Sequence, residues 1–439
     1  MKRFIDDELI AWKNAKFRMS LLLRGARQVG KTYAAQRLGK QFASFIEVNL
    51  ETQDKERAIF EKDLDVHRIL RDLSLLRMVP IVPGETLLFI DEIQTVPNAV
   101  TALRYFYEQI PDLHVIAAGS LLDFAVEQVG MPVGRVESLY MYPMSFLEFL
   151  FSMNGDLLVQ EILSHPIEQE LSEPVHQKIL SLLGEYIAIG GMPNVVACWA
   201  ETKDAARCFA LQHAIIDTYR NDFVKYAKKN QIKYIDTLFN AIPQLLGKKF
   251  KYSDIEGDFR KRELAPALEL LVTAGVVHKV THSSGQGIPL GANVDPQTYK
   301  VIFLDVALTQ AILGLDLAEW FLNPAQQFIN KGALVESLVG QELLAYANPH
   351  AKSHLYYWQR NAPSSTAEVD YLVQRGENII PIEVKSGAGK TLKSLHLFLE
   401  SHPQTPYGVR FSTQNYSEHD RIQSFPLYAV AAITNRFKK

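Results

Sequence analysis

Gly25-Ala26-Arg27-Gln28-Val29-Gly30-Lys31-Thr32 has the spacing G-x-x-x-x-G-K-[ST] and decides the fold of the N-terminal part of the chain. The apolar stretch Met19 to Leu23 leads into it and reads as a buried strand. Tyr33 to Leu38 follows as the helix that it opens. Glycines at these positions let backbone N–H groups wrap an anion, and the N-terminus of the helix adds a favourable dipole. Lys31 is expected to reach the β- and γ-phosphates of a nucleotide, and the Thr32 hydroxyl to ligate Mg²⁺. The bland alternative is a glycine turn before an ordinary helix.

A second motif weighs against that alternative. Leu87-Leu88-Phe89-Ile90-Asp91-Glu92-Ile93-Gln94 places two carboxylates after four apolar residues, the pattern of a buried parallel strand ending at a site. Ligands in open α/β sheets sit at the carboxyl ends of strands. Asp91 is therefore expected to hold the Mg²⁺ shell, and Glu92 to orient and polarise the attacking water. Leu113 to Ala118 reads as a further strand with Gly119-Ser120 at its tip. In ATPases with a strand inserted between the first two motifs, a small polar residue here senses the γ-phosphate, which makes Ser120 a candidate. A turn serine is the other reading.

With 439 residues, two or three domains are expected. The hydrophobic share of 47% and charged share of 22% are those of a globular protein and exclude a disordered chain. The formal net charge of −3 means that any nucleic-acid contact must come from local patches. Cys198 and Cys208 lie outside any metal-ligand pattern and read as buried thiols in a reducing compartment. No signal-peptide pattern is present at Met1-Lys2-Arg3, and no apolar run approaches the roughly twenty residues that span a bilayer. The expected location is cytoplasmic, without membrane contact.

The alternation of strands and helices predicts an α/β fold with a doubly wound parallel sheet over residues 1–150. Phe45 to Asn49 and Val136 to Met141 supply further strands, Thr52 to Leu76 is helical in pattern, and Pro97 to Ile110 suits a helix. Ser145 and Glu148 have capping-box spacing. Residues 151–240 read as helical, interrupted at Gly190-Gly191-Met192-Pro193. Residues 241–325 run as a short helix from Lys251, a second helix from Glu263 to Thr273, and a hairpin of His278 to Val280 with Tyr299 to Phe303. That order is a winged-helix pattern, with Arg260, Lys261 and Arg262 near the start of the second helix. Packing or protein contact is an equally open reading of it.

Residues 326–439 hold a second constellation. Ala333 to Ala345 is a helix carrying Glu336, while Leu355 to Trp358, Val369 to Val373 and Ile379 to Val384 are strands, closed by a helix from Leu392 to Leu399. Glu383 and Lys385 are two apart and share one face, and Asp370 on the preceding strand can lie beside them. Two carboxylates can hold Mg²⁺, and a lysine can position water or steady charge on phosphorus. The set Asp370, Glu383 and Lys385 resembles the core of the PD-(D/E)XK nuclease superfamily, with Glu336 matching its acidic helix residue. The alternatives are a coincidental charged strand and a nuclease-like fold that holds DNA without cutting it.

Taken whole, the chain resembles a large prokaryotic AAA+ P-loop ATPase family with an uncharacterised conserved C-terminal half. The residues that carry the match are the phosphate loop, Phe89-Ile90-Asp91-Glu92-Ile93-Gln94, Gly119-Ser120, Gly134-Arg135, Tyr142-Pro143-Met144-Ser145-Phe146-Leu147-Glu148-Phe149, Gly190-Gly191-Met192-Pro193 and Phe303-Leu304-Asp305. The resemblance implies ATP and Mg²⁺ as cofactors, an ATPase core, a helical and winged-helix middle, and a restriction-endonuclease-like α/β end. In ring-forming ATPases an arginine near Arg135 reaches the neighbouring subunit's γ-phosphate, so a homo-oligomer, including a ring, is expected. The alternative for Arg135 is a surface arginine packing on Glu137. Three functions follow: an ATPase acting on branched or single-stranded DNA, an ATP-gated metal-dependent nuclease, and a nucleotide switch acting on protein partners.

Overall fold

A computed structural model describes residues 1–119, 130, 134–226, 229–360, 367–387, 392–434 and 436. The chain divides into two compact units, Lys2–Tyr142 with Pro349–Lys352, and Pro143–Asn348 with Ser353–Lys439 and Met1. The sequence suggested four segments. The helical middle, the hairpin region and the C-terminal region all fall within the second unit.

The first unit is built on β1 (Ser20–Arg24), β2 (Ser44–Asn49), β3 (Thr86–Asp91), β4 (His114–Ala118) and β5 (Val136–Tyr140). All pairings are parallel, in the order β2-β3-β4-β1-β5. β3 and β4 are buried along their whole length, as continuous apolar runs in a parallel sheet require. The helices are α1 (Ile5–Asn14), α2 (Lys31–Gly39), α3 (Asp54–Lys62), α4 (Val66–Arg77) and α5 (Pro97–Gln109). One core cluster joins Leu22, Val48, Leu88, Ile90, Val115 and Ala117 of the sheet to Phe60, Ile69, Leu73, Leu103 and Phe106 of the helices.

β4 lies between β1 and β3. The phosphate-loop strand and the acidic strand are thus not neighbours, which is the inserted-strand arrangement expected from the sequence. The carboxyl ends of β1 and β3 thus stand on either side of β4. Ser120, the candidate at the tip of β4, lies outside the described residues.

The second unit begins with α6 (Phe146–Ser152). The Ser145 hydroxyl accepts from Glu148 N–H, and the Glu148 carboxylate accepts from Ser145 N–H, completing the expected capping box. α7 (Asp156–Ser164), α8 (Glu173–Ile189), α9 (Pro193–Thr202), α10 (Ala205–Tyr226), α11 (Lys229–Ala241) and α12 (Lys261–Thr273) follow. The expected short helix from Lys251 is only a 3-10 turn, Tyr252–Asp254. It ends at Ile255, whose backbone is extended with φ of −83° and ψ of 120°.

β6 (Val277–Ser283) and β7 (Val294–Phe303) form the expected hairpin, but it is no detached wing. β6 pairs in parallel with β8 (Leu355–Gln359), Val280 opposite Leu355, so the hairpin extends the C-terminal sheet. That sheet also contains β9 (Glu368–Arg375), β10 (Asn378–Val384), β11 (Gly408–Ser412), β12 (Ser417–His419) and β13 (Ile422–Pro426). Its order is β12-β13-β11-β10-β9-β8-β6-β7. α13 (Val306–Ile312), α14 (Glu319–Leu322), α15 (Pro324–Asn330), α16 (Gly332–Ala345) and α17 (Lys393–Ser401) complete the unit.

Candidate functional site

The phosphate loop turns through backbone conformations that its residue types permit. Gly25 has φ of 140°, and a Cβ there would lie 2.1 Å from the Met141 carbonyl oxygen, so no other residue fits. Gln28 takes φ of 64°, and Gly30, with φ of 97°, is the residue from which α2 starts. Ala26 and Val29 are buried. Lys31 is buried too, and its Nζ donates to the Gly25 and Ala26 carbonyls at 2.9 Å each. Burial pulls its pKa down to about 8, against the pull of Glu92 and Asp91, with the Arg27 charge adding to the fall.

At the carboxyl end of β3, the Thr32 hydroxyl donates to Asp91 Oδ2 at 2.8 Å. Asp91 Oδ1 accepts from Glu92 N–H at 3.0 Å, and burial raises the Asp91 pKa against these hydrogen bonds. Glu92 stands in the left-handed region with φ of 51° and ψ of 42°. Such a conformation in a non-glycine residue costs free energy and occurs at functional sites. It puts the Glu92 carboxylate 2.6 Å from Gln94 Nε2, which donates to it, while Thr95 Oγ1 holds the Glu92 carbonyl at 2.8 Å.

These residues fit a nucleoside triphosphate with Mg²⁺. They offer a buried ammonium, loop N–H groups ahead of a nine-residue helix, and a hydroxyl–carboxylate pair for a hard cation. Two contributors had no signal in the motif search. Arg3 Nη1 donates to the Val29 carbonyl at 3.0 Å and Nη2 to the Tyr142 carbonyl at 2.9 Å, clamping the loop from the N-terminus. Gln94 stands at the end of the second motif, where only its contact with Glu92 gives it a role.

Arg135 pairs with Glu108 at 2.8 Å, not with Glu137. Glu137 faces His350 at 3.1 Å instead. The two arginines Arg135 and Arg104 hold the Glu108 carboxyl below its ordinary range through hydrogen bonds.

In the second unit the four residues of the C-terminal set converge. Asp370 Oδ2 accepts from Val384 N–H at 2.7 Å, and Lys385 Nζ donates to Glu383 Oε1 at 2.5 Å. Burial raises the pKa of Glu336 and of Asp370 to about 7 each, and that of Glu383 in the same direction. The sequence reading missed two partners. Lys300, on β7, lies 2.9 Å from Glu336 Oε1 and 3.8 Å from Asp370 Oδ1, and also pairs with Glu368. Among the described residues no group of three or more His, Cys, Asp and Glu side chains is disposed to hold a metal ion.

Three of the segments that carry the family resemblance also meet in this unit. Gly191 N–H donates to Asp305 Oδ2 at 2.7 Å, and Met144 N–H donates to the Gly191 carbonyl at 2.6 Å. A Cβ on Gly190, whose φ is 79°, would lie 2.4 Å from Asp305 Oδ1. The buried Glu342 accepts from Phe146 N–H and from the Tyr186 hydroxyl. Cys198 and Cys208 are buried and free, as expected. No helix among the described residues is long and apolar enough to cross a membrane.

Residues 18–150 match a family model described as an AAA domain. Residues 180–319 and 331–430 match two models, each described as a domain of unknown function. No curated protein matches the chain. Among solved structures, the chain is similar to a Walker-type ATPase of Pyrococcus abyssi, with 16% identity and a TM-score of 0.47 over 71% of this chain and 95% of the other. It is similar at 15% identity and a TM-score of 0.31 to the Orc1 protein of Aeropyrum pernix in complex with DNA, over 71% of this chain and 90% of that one. The RuvB Holliday junction branch migration motor of Thermotoga maritima gives 13% identity and 0.31, over 70% and 91%. At those scores the likenesses carry no inference about this chain. The family match, the inserted-strand sheet and the loop make the N-terminal unit an ATPase domain of the AAA+ type.

Proposed function

We propose that the chain is an ATP-driven machine acting on DNA, hydrolysing nucleotide in its first unit and engaging the polynucleotide with its second. In the first unit Lys31 holds the charge of the β- and γ-phosphates, and Thr32 and Asp91 hold Mg²⁺. When bound, Mg²⁺ neutralises charge that develops on the phosphate oxygens. Glu92 orients the attacking water and accepts its proton, and Gln94 fixes the carboxylate that does so. Arg135 is the residue proposed to complete a neighbouring site in a homo-oligomer.

The DNA part rests on one observation. Arg260, Lys261 and Arg262 are all exposed at the start of α12, in a chain whose formal net charge is only −3. Lys248, Lys249 and Lys251 are exposed nearby in sequence, and Lys261 lies over the Tyr252 ring at 5.9 Å. Cations interleaved with an aromatic ring suit a backbone with stacked bases. The nuclease-like resemblance of Glu336, Asp370, Glu383 and Lys385 points to the same class of partner.

The deciding experiment measures ATPase rate with and without duplex, single-stranded and branched DNA, beside salt-titrated DNA binding. Expected are stimulation by at least one DNA and an affinity that falls steeply with salt. Arg260→Glu/Lys261→Glu/Arg262→Glu should abolish both while leaving the basal ATPase rate unchanged. Absence of binding at low salt would favour a switch acting on protein partners. Cleavage in Mg²⁺ or Mn²⁺ that Asp370→Ala removes would favour the ATP-gated nuclease.

A further inference from the structure

Lys300 is almost wholly enclosed, with 2% of its side chain exposed. Three carboxylates surround its ammonium: Glu336 from α16, and Glu368 and Asp370 from β9. The Tyr357 ring covers it at 5.2 Å. A hard divalent cation held by acidic side chains occupies a place of this kind, ringed by carboxylate oxygens. Burial alone would strip the proton from a lysine, yet these carboxylates more than offset it and raise the Lys300 pKa. Three carboxylates within ion-pair distance hold it as an ammonium.

A second observation concerns Glu383. Its Oε1 is taken by Lys385, but its Oε2 is buried and has no hydrogen-bond partner among the described residues, with the side chain only 7% exposed. Its charge acts on Asp370, and those of Lys300 and Glu336 act on it, so it belongs to the same cluster. A buried carboxylate oxygen without a donor is costly unless a cation answers it.

We infer that Lys300 is a built-in cation filling the place that a divalent metal would take in the C-terminal carboxylate cluster, and that the cluster is closed to metal ions while Lys300 is in position. Glu336, Glu368, Asp370 and the unpartnered oxygen of Glu383 become a set of hard oxygen ligands only when the ammonium is removed. The inference does not rest on the DNA reading, since it concerns the cation alone. It bears on that reading in one way: with Lys300 in place, the second unit holds its partner without metal-dependent cutting.

The test is Mn²⁺ binding to the full, nucleotide-free chain, read from the electron paramagnetic resonance signal of free Mn²⁺. Any Mn²⁺ held by Thr32 and Asp91 is common to all the proteins compared. Asp370→Asn should leave the Mn²⁺ bound by the wild type unchanged. Lys300→Met should gain about one Mn²⁺ per chain and show a Tm that rises with Mn²⁺, as a ligand of the folded state alone requires. Both gains should disappear in Lys300→Met/Asp370→Asn. Lys300→Gln, which keeps a polar contact for Glu336, replaces Lys300→Met if the latter does not fold. Wild-type Mn²⁺ binding that Asp370→Asn reduces would overturn the inference. So would a folded Lys300 variant that gains no Mn²⁺.

Discussion

Thr32 Oγ1 lies 2.8 Å from Asp91 Oδ2, although the strands leading to these two residues are separated by β4. The start of α2 and the end of β3 are thus joined by one hydrogen bond past the intervening strand β4. Thr32 and Asp91 are the residues that would hold Mg²⁺. Thr32→Val and Asp91→Asn should each remove Mg²⁺-dependent nucleotide binding. Because the two act on one ion, the double variant should bind little worse than either single one. Equilibrium titration with a fluorescent nucleotide, with and without Mg²⁺, checks this.

Gln94 should prove to be a positioning residue for Glu92. Its amide donates to the Glu92 carboxylate at 2.6 Å. Gln94→Ala should lower kcat roughly tenfold, the equivalent of about 1.4 kcal/mol for one lost hydrogen bond, and leave nucleotide affinity unchanged. Glu92→Gln, which keeps the shape but not the base, should lower kcat by roughly a hundredfold or more. In the Glu92→Gln background, Gln94→Ala should have no further effect on rate; an additive loss would refute the positioning role.

Lys31 should make nucleotide binding pH-dependent in the alkaline range. Burial lowers its pKa to about 8, so the free protein loses this charge as pH rises through that value. Bound phosphates favour the ammonium, and binding must then take up a proton. Affinity is expected to be level below pH 8 and to fall by up to about tenfold per pH unit above it. Lys31→Met should bind weakly with no such slope. Calorimetry in two buffers of different ionisation enthalpy measures the proton uptake directly.

Glu342 should impose a pH dependence on stability of the opposite kind to that of a salt-bridged acid. Burial raises its folded pKa from 4.5 to about 7, so the folded state binds the proton more tightly than the unfolded one. Its contribution is largest below about pH 4.5 and is lost as pH rises towards 7. Glu336 and Asp370 act in the same window and direction. Glu342→Gln keeps an oxygen for Phe146 N–H and cannot titrate. The Tm of wild type minus that of Glu342→Gln should therefore fall between pH 5 and pH 7.5.

Asp305 should be among the costliest single positions in the second unit. Its carboxylate is fully buried and accepts from Gly191, Ala307 and Leu308 N–H, capping α13 and anchoring the α8–α9 turn together. Asp305→Ala removes the cap and strands buried donors, at a cost of about 2–4 kcal/mol. Chemical denaturation of the purified variant measures it; a change below about 1 kcal/mol would contradict the packing described.

The backbone of the phosphate loop and of the acidic strand was legible in the chain itself. A phosphate loop is a local object: eight consecutive residues, an apolar run before them and a helix after them fix its backbone. The acidic strand is local in the same way, which is why Asp91 and Glu92 could be named from four preceding apolar residues. The Ser145–Glu148 capping box is contained within four residues and formed as its spacing implied. Strand periodicity also put Glu383 and Lys385 on one face, with Asp370 on the preceding strand, whereas Glu336, on a helix, was marked only by the resemblance to the nuclease superfamily.

What tertiary structure decided was pairing at a distance. Nothing near Lys300 in sequence marks it as the partner of Glu336, Glu368 and Asp370; the parallel pairing of β6 with β8 brings the β6–β7 hairpin, and with it Lys300, into the C-terminal sheet. The same holds for Arg3 against Val29, Arg135 against Glu108, and Asp305 against Gly191. Local sequence determines backbone conformation and the face on which a side chain stands, because those depend on neighbours a few residues away. Which charge meets which carboxylate depends on strand order and sheet edges, which are settled by burial of the whole core.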